Sequence, residues 1–172
     1  MTAIRLEHDI HCDSDTFWTI FFDEKLNAAI YKHGLDFPEM TIQSFKDEGG
    51  KVTRTLLAQP KLKNLPGPVT KLLGSNFKYT EEGSMTRAEG VWRFKLFPNT
   101  MAEKLRQEGS MRITPAGDKK VKRVVELTVE AKIFVIGGLV ESAAEKTLRE
   151  AWDTSAKYMN EWIEGKHRDL VK

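Results

Sequence analysis

The sequence predicts an α+β fold in which one long C-terminal helix covers an antiparallel sheet. Three features predict it. Stretches that alternate polar and apolar residues recur along the chain between turn residues, as half-buried strands do. Two short helical patterns follow the first of these stretches, and one amphipathic helical pattern runs over residues 138–166. A sheet with one apolar face and a helix long enough to cover that face give this architecture.

The N-terminal part of the chain is predicted to hold one strand and two short helices. Residues 3–11 (AIRLEHDIH) alternate apolar and polar side chains, which is typical of a strand with one buried face. The period then changes, and either Asp13 or Ser14 can cap a helix that carries its aromatic residues on one face. Asp23 can cap a second short helix.

Three hairpins are predicted to follow, which together with the first strand give an antiparallel sheet of about seven strands. Between the first two hairpins, segment 60–74 is irregular, and its second half can form one helical turn that begins near Pro68. The predicted hairpins span residues 39–60 with a turn at Gly49-Gly50, residues 76–98 with a turn at Glu82-Gly83, and residues 101–135 with a turn at 116–118.

The C-terminal pattern predicts a helix that crosses the whole sheet. With residues placed 100° apart, apolar and small side chains share one wide sector and charged side chains lie opposite. At about 1.5 Å per residue, about 26 residues span roughly 39 Å, which is longer than one strand. The apolar sector holds Val140, Ala144, Leu148, Ala151, Trp152, Ser155, Met159 and Trp162.

Composition predicts one domain over residues 1–172, and it narrows the possible partners. The net charge of +2 gives no overall electrostatic attraction for nucleic acid, so we predict no nucleic-acid partner. Cys12 is the single cysteine, which fits a reducing compartment. The N-terminus has no unbroken apolar run typical of a signal peptide, and no stretch approaches the ~20 apolar residues of a membrane-spanning helix. We therefore expect a cytoplasmic protein, with its oligomeric state open.

The familiar catalytic and cofactor motifs are missing from the sequence. It contains no GxxxxGK[ST], GxGxxG, GxSxG, HExxH or CxxC. The nearest metal-ligating cluster is His8, His11, Cys12 and Asp13, but His8 and His11 would point to opposite faces of a strand. We accordingly predict no metal, no cofactor and no assigned catalytic residue.

Three stretches of the chain carry a resemblance to a known superfamily. They are residues 14–34 (SDTFWTIFFDEKLNAAIYKHG), residues 90–97 (GVWRFKLF) and residues 125–148 (VELTVEAKIFVIGGLVESAAEKTL). Their order resembles the helix-grip fold of the START-domain, pathogenesis-related allergen and polyketide-cyclase (SRPBCC) superfamily. The junction IGGLVE, at residues 136–141, is most similar to a bacterial family of unknown function within it.

This resemblance implies a strongly curved sheet wrapped around the C-terminal helix, with the two short helices closing one end. It also implies a cavity between helix and sheet that binds hydrophobic or amphipathic molecules. Other members carry sterols, phospholipids, polyketides or plant hormones, and some catalyse cyclisation. Our leading hypothesis is therefore binding or carriage of a lipid or polyketide-like molecule, by a carrier or sensor rather than an enzyme.

Candidate ligand-binding residues follow from the strand faces and the helix sector. Arg54 shares its parity with Val52 and Leu56, and a buried arginine would need a carboxylate partner or the acid group of a ligand. His8 and Tyr79 are the other polar candidates for orienting the head of a ligand. For each wall residue the alternative is ordinary core packing. The wall candidates are Trp92, Phe94, Leu127, Val129, Ala151, Ser155 and Met159.

Two other functions stay open on the sequence. A cyclase or dehydratase-like enzyme would use His8 or Glu141 as general acid or base in the same cavity. Glu141 has the simpler alternative of stabilising the free N–H groups and the positive dipole of the first helical turn. The remaining function is a ligand-free interaction domain with a fully packed core.

Two basic stretches have more than one interpretation. Segment 60–74 has three lysines, no acids and several leucines. It is either a solvated loop whose leucines pack on the core, or a lid, or a transient contact with an anionic membrane surface. Residues 118–123 (DKKVKR) are expected to be the solvated end of a hairpin, although a basic cluster near the mouth of a cavity would attract acidic head groups.

Overall fold

The computed structural model describes residues 1–171 and contains a curved antiparallel sheet of seven strands in the order β1-β7-β6-β5-β4-β3-β2. Each strand pairs with its neighbours in antiparallel register. The predicted α+β class is confirmed. The strands are β1 (Thr2–Ile10), β2 (Glu39–Glu48), β3 (Lys51–Gln59), β4 (Tyr79–Thr86), β5 (Val91–Pro98), β6 (Leu105–Pro115) and β7 (Val121–Ala131).

Two short helices follow β1, as the sequence predicts. The Asp13 side chain accepts a hydrogen bond from the Thr16 amide and caps α1 (Ser14–Phe21), so Asp13 rather than Ser14 is the cap. Asp23 caps α2 (Glu24–Ala28) in the same way through the Leu26 amide. The chain then makes a π-helical turn over Ala29–Gly34 before β2 begins.

The turn predicted at Glu82-Gly83 is wrong. Gly83 lies inside β4, and β4 and β5 are joined by a turn at residues 87–90. A Cβ atom on Gly83 would lie 1.9 Å from Cζ2 of Trp92, so this glycine makes room for the indole ring. The turn at Gly49-Gly50, where both glycines have positive φ, and the turn near residue 117 lie where the sequence predicts them.

The long C-terminal helix is α4 (Gly137–Ile163), which begins one residue before its predicted start and ends three before its predicted end. It packs mainly against β1 and β7 at one side of the sheet. The short helix α3 (Gly67–Leu73) packs against the N-terminal half of α4 through Val69, which contacts a cluster containing Ala131 and Val140. The middle strands of the sheet therefore face α4 across a gap.

Replacing Gly83 by alanine tests the close packing between β4 and Trp92. The Gly83→Ala variant should lose about 1–3 kcal/mol of unfolding free energy, because the added methyl group must displace the buried indole. Urea denaturation followed by circular dichroism measures it. The matched control is Gly138→Ala in the first turn of α4, where an added Cβ meets nothing within 4 Å. Equal stability of the two variants would contradict this packing.

Candidate functional site

A cavity of about 270 Å³ lies between α4 and the sheet. The inner faces of β3, β4, β5 and β7 form one wall, and α4 forms the opposite wall. The helix pair α1–α2 closes one side, and segment 60–74 contributes Leu62, Leu65 and Val69 to another. The lining is mostly aliphatic and aromatic, which is typical of a site for a small molecule.

Most of the predicted ligand-binding residues meet at this cavity. Leu127 is buried on the same strand face but is not part of the lining, and His8 lies behind the wall. A ligand-binding role for each of these residues stays a prediction. The predicted residues that line the cavity are Arg54, Tyr79, Trp92, Phe94, Val129, Ala151, Ser155 and Met159.

Aromatic rings hold the cavity walls in place. Trp92 is 1% exposed, and its ring packs edge-on against Phe21 and Phe22 of the helix pair, with centroids 5.8 and 5.2 Å apart. Phe94 packs against Trp152 of α4 at 5.9 Å. These contacts tie the middle of the sheet to both helical layers, so the space between them has rigid sides.

Arg54 points inward and has the carboxylate partner that its burial requires. It is 4% exposed, and its Nη2 donates to Oε1 of Glu81 on β4 at 3.1 Å. The guanidinium carbon also lies 5.2 Å from the Phe21 ring centroid and 5.3 Å from that of Trp92. The sequence analysis required either a carboxylate of the protein or the acid group of a ligand beside Arg54. Glu81 is that carboxylate, so the charge of Arg54 is compensated without a ligand.

Arg123 is a second buried arginine, and the sequence analysis missed it. We expected residues 118–123 to be solvated, but the Arg123 side chain is 1% exposed and lines the cavity. The signal was available, because Arg123 has the same strand parity as Val121 and Val125, which are both buried. The neighbouring lysines made the stretch look uniformly solvated.

Neutral groups surround the Arg123 guanidinium. Its Nη1 donates to Oγ of Ser155 at 3.0 Å, and its Nη2 donates to the Trp152 carbonyl at 2.9 Å. Nη2 also lies 3.1 Å from Nδ1 of His8, the residue paired with Arg123 across β1 and β7. Burial lowers the pKa of Arg123 to about 9, against an opposing effect of Asp153, so the side chain is still charged at neutral pH.

His8 connects Arg123 to a surface carboxylate. A guanidinium only donates hydrogen bonds, so Nδ1 of His8 accepts from Arg123, and the proton lies on Nε2, which donates to Oδ1 of Asp153 at 2.7 Å. Burial lowers the pKa of His8, and the Arg123 charge lowers it further, while the hydrogen bond to Asp153 opposes both effects. Both ring nitrogens are therefore occupied, and neither is free to act as a base in the cavity.

Glu141 neither faces the cavity as an acid or base nor caps the first turn of its own helix. Its carboxylate accepts from the Ala131 amide and from the Thr2 hydroxyl, both at 2.9 Å, and is not part of the cavity lining. These hydrogen bonds, above all that from Ala131, hold the pKa of the carboxyl below its usual value. Glu141 thus joins the start of α4 to the ends of β1 and β7, rather than capping its own helix or facing a ligand.

Two buried phenols complete the polar lining. Burial raises the pKa of Tyr31 and of Tyr79, and nearby Glu81 raises both further. Both phenols therefore remain protonated across the ordinary pH range. They offer the cavity neutral hydroxyl groups and no negative charge.

Segment 60–74 forms a wall of the cavity rather than a free loop. Its leucines are half-buried, and Val69 of α3 is 1% exposed. Lys61 and Lys63 both donate to Asp36, at 2.6 and 3.0 Å, and lower the pKa of that carboxyl to about 2. These ion pairs are exposed and individually weak. The leucines of the segment pack on buried residues, as one of the interpretations predicted, and the lid stays a prediction. The ion pairs join the segment to the loop that follows the π-helical turn.

A larger hollow of about 940 Å³ lies on the outer face of the sheet, away from α4. Charged side chains line it, and they already pair with one another, as Arg5 does with Glu126 and Lys95 with Glu108. It is open to solvent, and most of the charged side chains that line it have ion-pair partners. The smaller cavity under α4 is therefore the better candidate for a binding site.

The chain matches one known protein family over most of its length. The family model described as "Protein of unknown function (DUF2505)" matches residues 5–163. The chain belongs to this family. No curated protein matches it.

Solved structures share the fold at low sequence identity. TTHA0849 from Thermus thermophilus superposes with a TM-score of 0.65 at 18% identity, over 96% of this chain and 99% of that one. The Zhui aromatase/cyclase from Streptomyces sp. R1128 gives 0.62 at 11% identity, over 94% and 95%. A START superfamily protein from Mycobacterium smegmatis gives 0.60 at 17% identity, over 95% and 97%. The predicted helix-grip superfamily is thereby confirmed at the level of the fold.

Neither a metal cluster nor a membrane-spanning helix is found within residues 1–171. No group of three or more His, Cys, Asp or Glu side chains in this range is placed to hold a metal ion. Within the same range, none of the helices combines the length and apolar character needed to cross a bilayer.

The depressed pKa of His8 predicts that acid destabilises the folded state. The unfolded chain binds this proton more tightly, so the contribution of His8 is fully present above about pH 6.5 and is lost as pH falls through the lower folded-state pKa. Urea denaturation at pH 8 and pH 5 should show that the free energy of unfolding falls less between these pH values for His8→Gln than for the wild type. His11→Gln, at an exposed position, should retain the wild-type loss. A His8→Gln variant with the full wild-type loss would refute this assignment.

Proposed function

We propose that this protein binds and carries a small hydrophobic or amphipathic molecule in the cavity under α4, acting in the cytoplasm as one helix-grip domain over residues 1–172. The observation that carries the proposal is the cavity of about 270 Å³ between helix and sheet. Packed protein interiors have few voids larger than a water molecule, so a hollow of this size argues against a fully packed interaction domain. Transfer of apolar ligand surface from water supplies about 25 cal/mol per Å².

The volume narrows the class of ligand. Drug-sized molecules occupy pockets of roughly 300–1,000 Å³, and one water in the liquid takes about 30 Å³. A space of about 270 Å³ therefore suits a molecule of up to about three rings, or a short chain. It does not accommodate a two-chain lipid without expansion, so the polyketide-like half of our hypothesis is favoured over a phospholipid.

A cyclase or dehydratase-like enzyme is the alternative function, and the site supports it less well. Such a reaction needs ionisable groups that converge on the substrate. Both nitrogens of His8 and both oxygens of Glu141 have partners in the protein, and Glu141 lies outside the cavity. The likeness to an aromatase/cyclase at 11% identity extends to the fold only. Binding without chemistry is therefore the better-supported function.

A transient contact with an anionic membrane surface would give the ligand a route into the cavity. The leucines of segment 60–74, through which we expected this contact, are half-buried. The adjoining turn between β7 and α4 is better suited, because Phe134 and Val135 are 95% and 84% exposed. Val135 has a φ of 71°, which is unusual for a branched side chain and keeps both residues facing solvent. Lys132 and Lys104 flank the turn and are joined by a backbone hydrogen bond.

Filling the cavity from α4 should abolish ligand binding. The neutral probe N-phenyl-1-naphthylamine should gain fluorescence on binding the wild type, and Ala151→Phe should weaken that binding by at least about tenfold, because the added ring occupies the space. Ala88→Phe is the matched control, since Ala88 is exposed in the turn between β4 and β5. Titrations give the dissociation constants. Absence of binding to the wild type, or equal binding by both variants, would refute the proposal.

The exposed turn predicts binding to anionic vesicles. The double variant Phe134→Ser with Val135→Ser should co-sediment with phosphatidylserine vesicles much less than the wild type, because it loses both insertable side chains. Phe97→Ser is the control, since Phe97 is 44% exposed on the outer face of the sheet. Equal sedimentation of all three proteins would exclude this contact. Gel filtration tests the other occupant of such a patch, a second copy of the chain.

A further inference from the structure

Three arginines line the cavity, and the two that are buried, Arg54 and Arg123, differ in their charge partners. The third, Arg106, is exposed and pairs with Glu108. Arg54 is paired with Glu81 at 3.1 Å. Arg123 is at least as deeply buried, yet within residues 1–171 no carboxylate lies within 4.0 Å of it. Asp153 is reached only through the neutral ring of His8, and its own side chain is 67% exposed. Of the two buried positive charges in the lining, one is therefore compensated and the other is not.

The hydrogen bonds of Arg123 hold the guanidinium in place without neutralising it. The side-chain hydroxyl of Ser155, the carbonyl of Trp152 and the Nδ1 of His8 are all uncharged acceptors. Nη1 also meets the Met159 sulfur at 3.5 Å, which is a weak acceptor. Its Nε, like that of Arg54, has no hydrogen-bond partner in the described part of the chain. Donor capacity is thus left over on a side chain that is otherwise fixed.

A buried charge without a counter-charge is unfavourable, and no carboxylate among the described residues of the lining pairs with Arg123. Glu130, a carboxylate of the lining, is 25% exposed and lies beside Lys132. Separating an ion from water costs several kcal/mol unless an opposite charge or complete hydrogen bonding compensates it. The phenols of Tyr31 and Tyr79 stay neutral, and Glu81 is engaged by Arg54. An anionic group brought in by the ligand would supply the missing charge and could accept from the one unused donor, Nε.

We infer that Arg123 holds the anionic head of the ligand, so that the cavity selects small aromatic or alicyclic carboxylic acids over their neutral analogues. This inference rests on the proposed binding function and adds the charge of the ligand to it. The Trp152 ring, 5.0 Å from the guanidinium carbon, fixes the plane of the side chain and provides an apolar surface beside the head group. Charge-assisted hydrogen bonds are about twice as strong as neutral ones, so the acid should bind more tightly than its neutral analogue.

The test compares two compounds that differ only in charge. At pH 7, 1-naphthoic acid should displace N-phenyl-1-naphthylamine from the wild type at a concentration at least about tenfold lower than 1-naphthamide. In Arg123→Met the advantage of the acid over the amide should disappear, whatever the affinity of the variant for the neutral probe. Arg123→Lys should restore part of the advantage. The control is Arg112→Met, because Arg112 lies on the outer sheet face and pairs with Glu126.

The outcomes separate this inference from the proposed function. If the neutral probe does not bind the wild type, the carrier function fails. If the probe binds and the wild type does not distinguish acid from amide, the inference about Arg123 is overturned while the carrier function stands. If Arg123→Met keeps the full preference for the acid, the anion is held elsewhere and the assignment is overturned. The comparison in the wild type decides the matter even where a variant does not fold.

Discussion

A straight helix cannot follow a curved sheet along its whole length, and the remaining features of this protein depend on that mismatch. α4 packs on β1 and β7, while the middle strands turn away from it. The space that opens is closed at its sides by the helix pair α1–α2 and by segment 60–74, and a cavity of about 270 Å³ remains. Close contacts elsewhere preserve the shape, since Gly83 admits the Trp92 ring and Glu141 fixes the start of α4. The hollow is thus a result of fold geometry rather than of loose packing.

Polar chemistry inside the hollow is concentrated in two guanidinium groups that are handled differently. Arg54 forms an ion pair with Glu81 between aromatic rings, so it contributes to the structure without needing a ligand. Arg123 instead relies on uncharged acceptors and on His8, which leads outward to Asp153. A protein that required only a stable core would be at least as stable with an apolar residue there. The contrast is the reason for connecting Arg123, and not Arg54, with recognition.

Sequence patterns predicted the order of elements well, because strand and helix periods are local properties. The patterns failed for residue types that occur in two different settings, such as a glycine in a turn or within a strand, and an arginine at the surface or in the core. Gly83 looks like a turn residue in the sequence. In the structure the Trp92 ring of the next strand fills the space where a side chain on Gly83 would lie. Only the register of β4 and β5 brings these two residues together. Arg123 was interpreted as solvated because lysines neighbour it, although it alternates with buried valines on one face of β7. The size of the cavity depends on sheet curvature summed over seven strands, which no local pattern records.

The position of two indole rings has a practical consequence. Trp92 from the sheet and Trp152 from α4 both border the cavity, on opposite sides of the same space. Intrinsic tryptophan emission from these rings would respond directly to whatever enters between them, through exclusion of solvent or energy transfer to an absorbing guest. The protein therefore carries an optical reporter of occupancy, above a background from Trp18 and Trp162, and purified unlabelled compounds can be screened against it without any added dye.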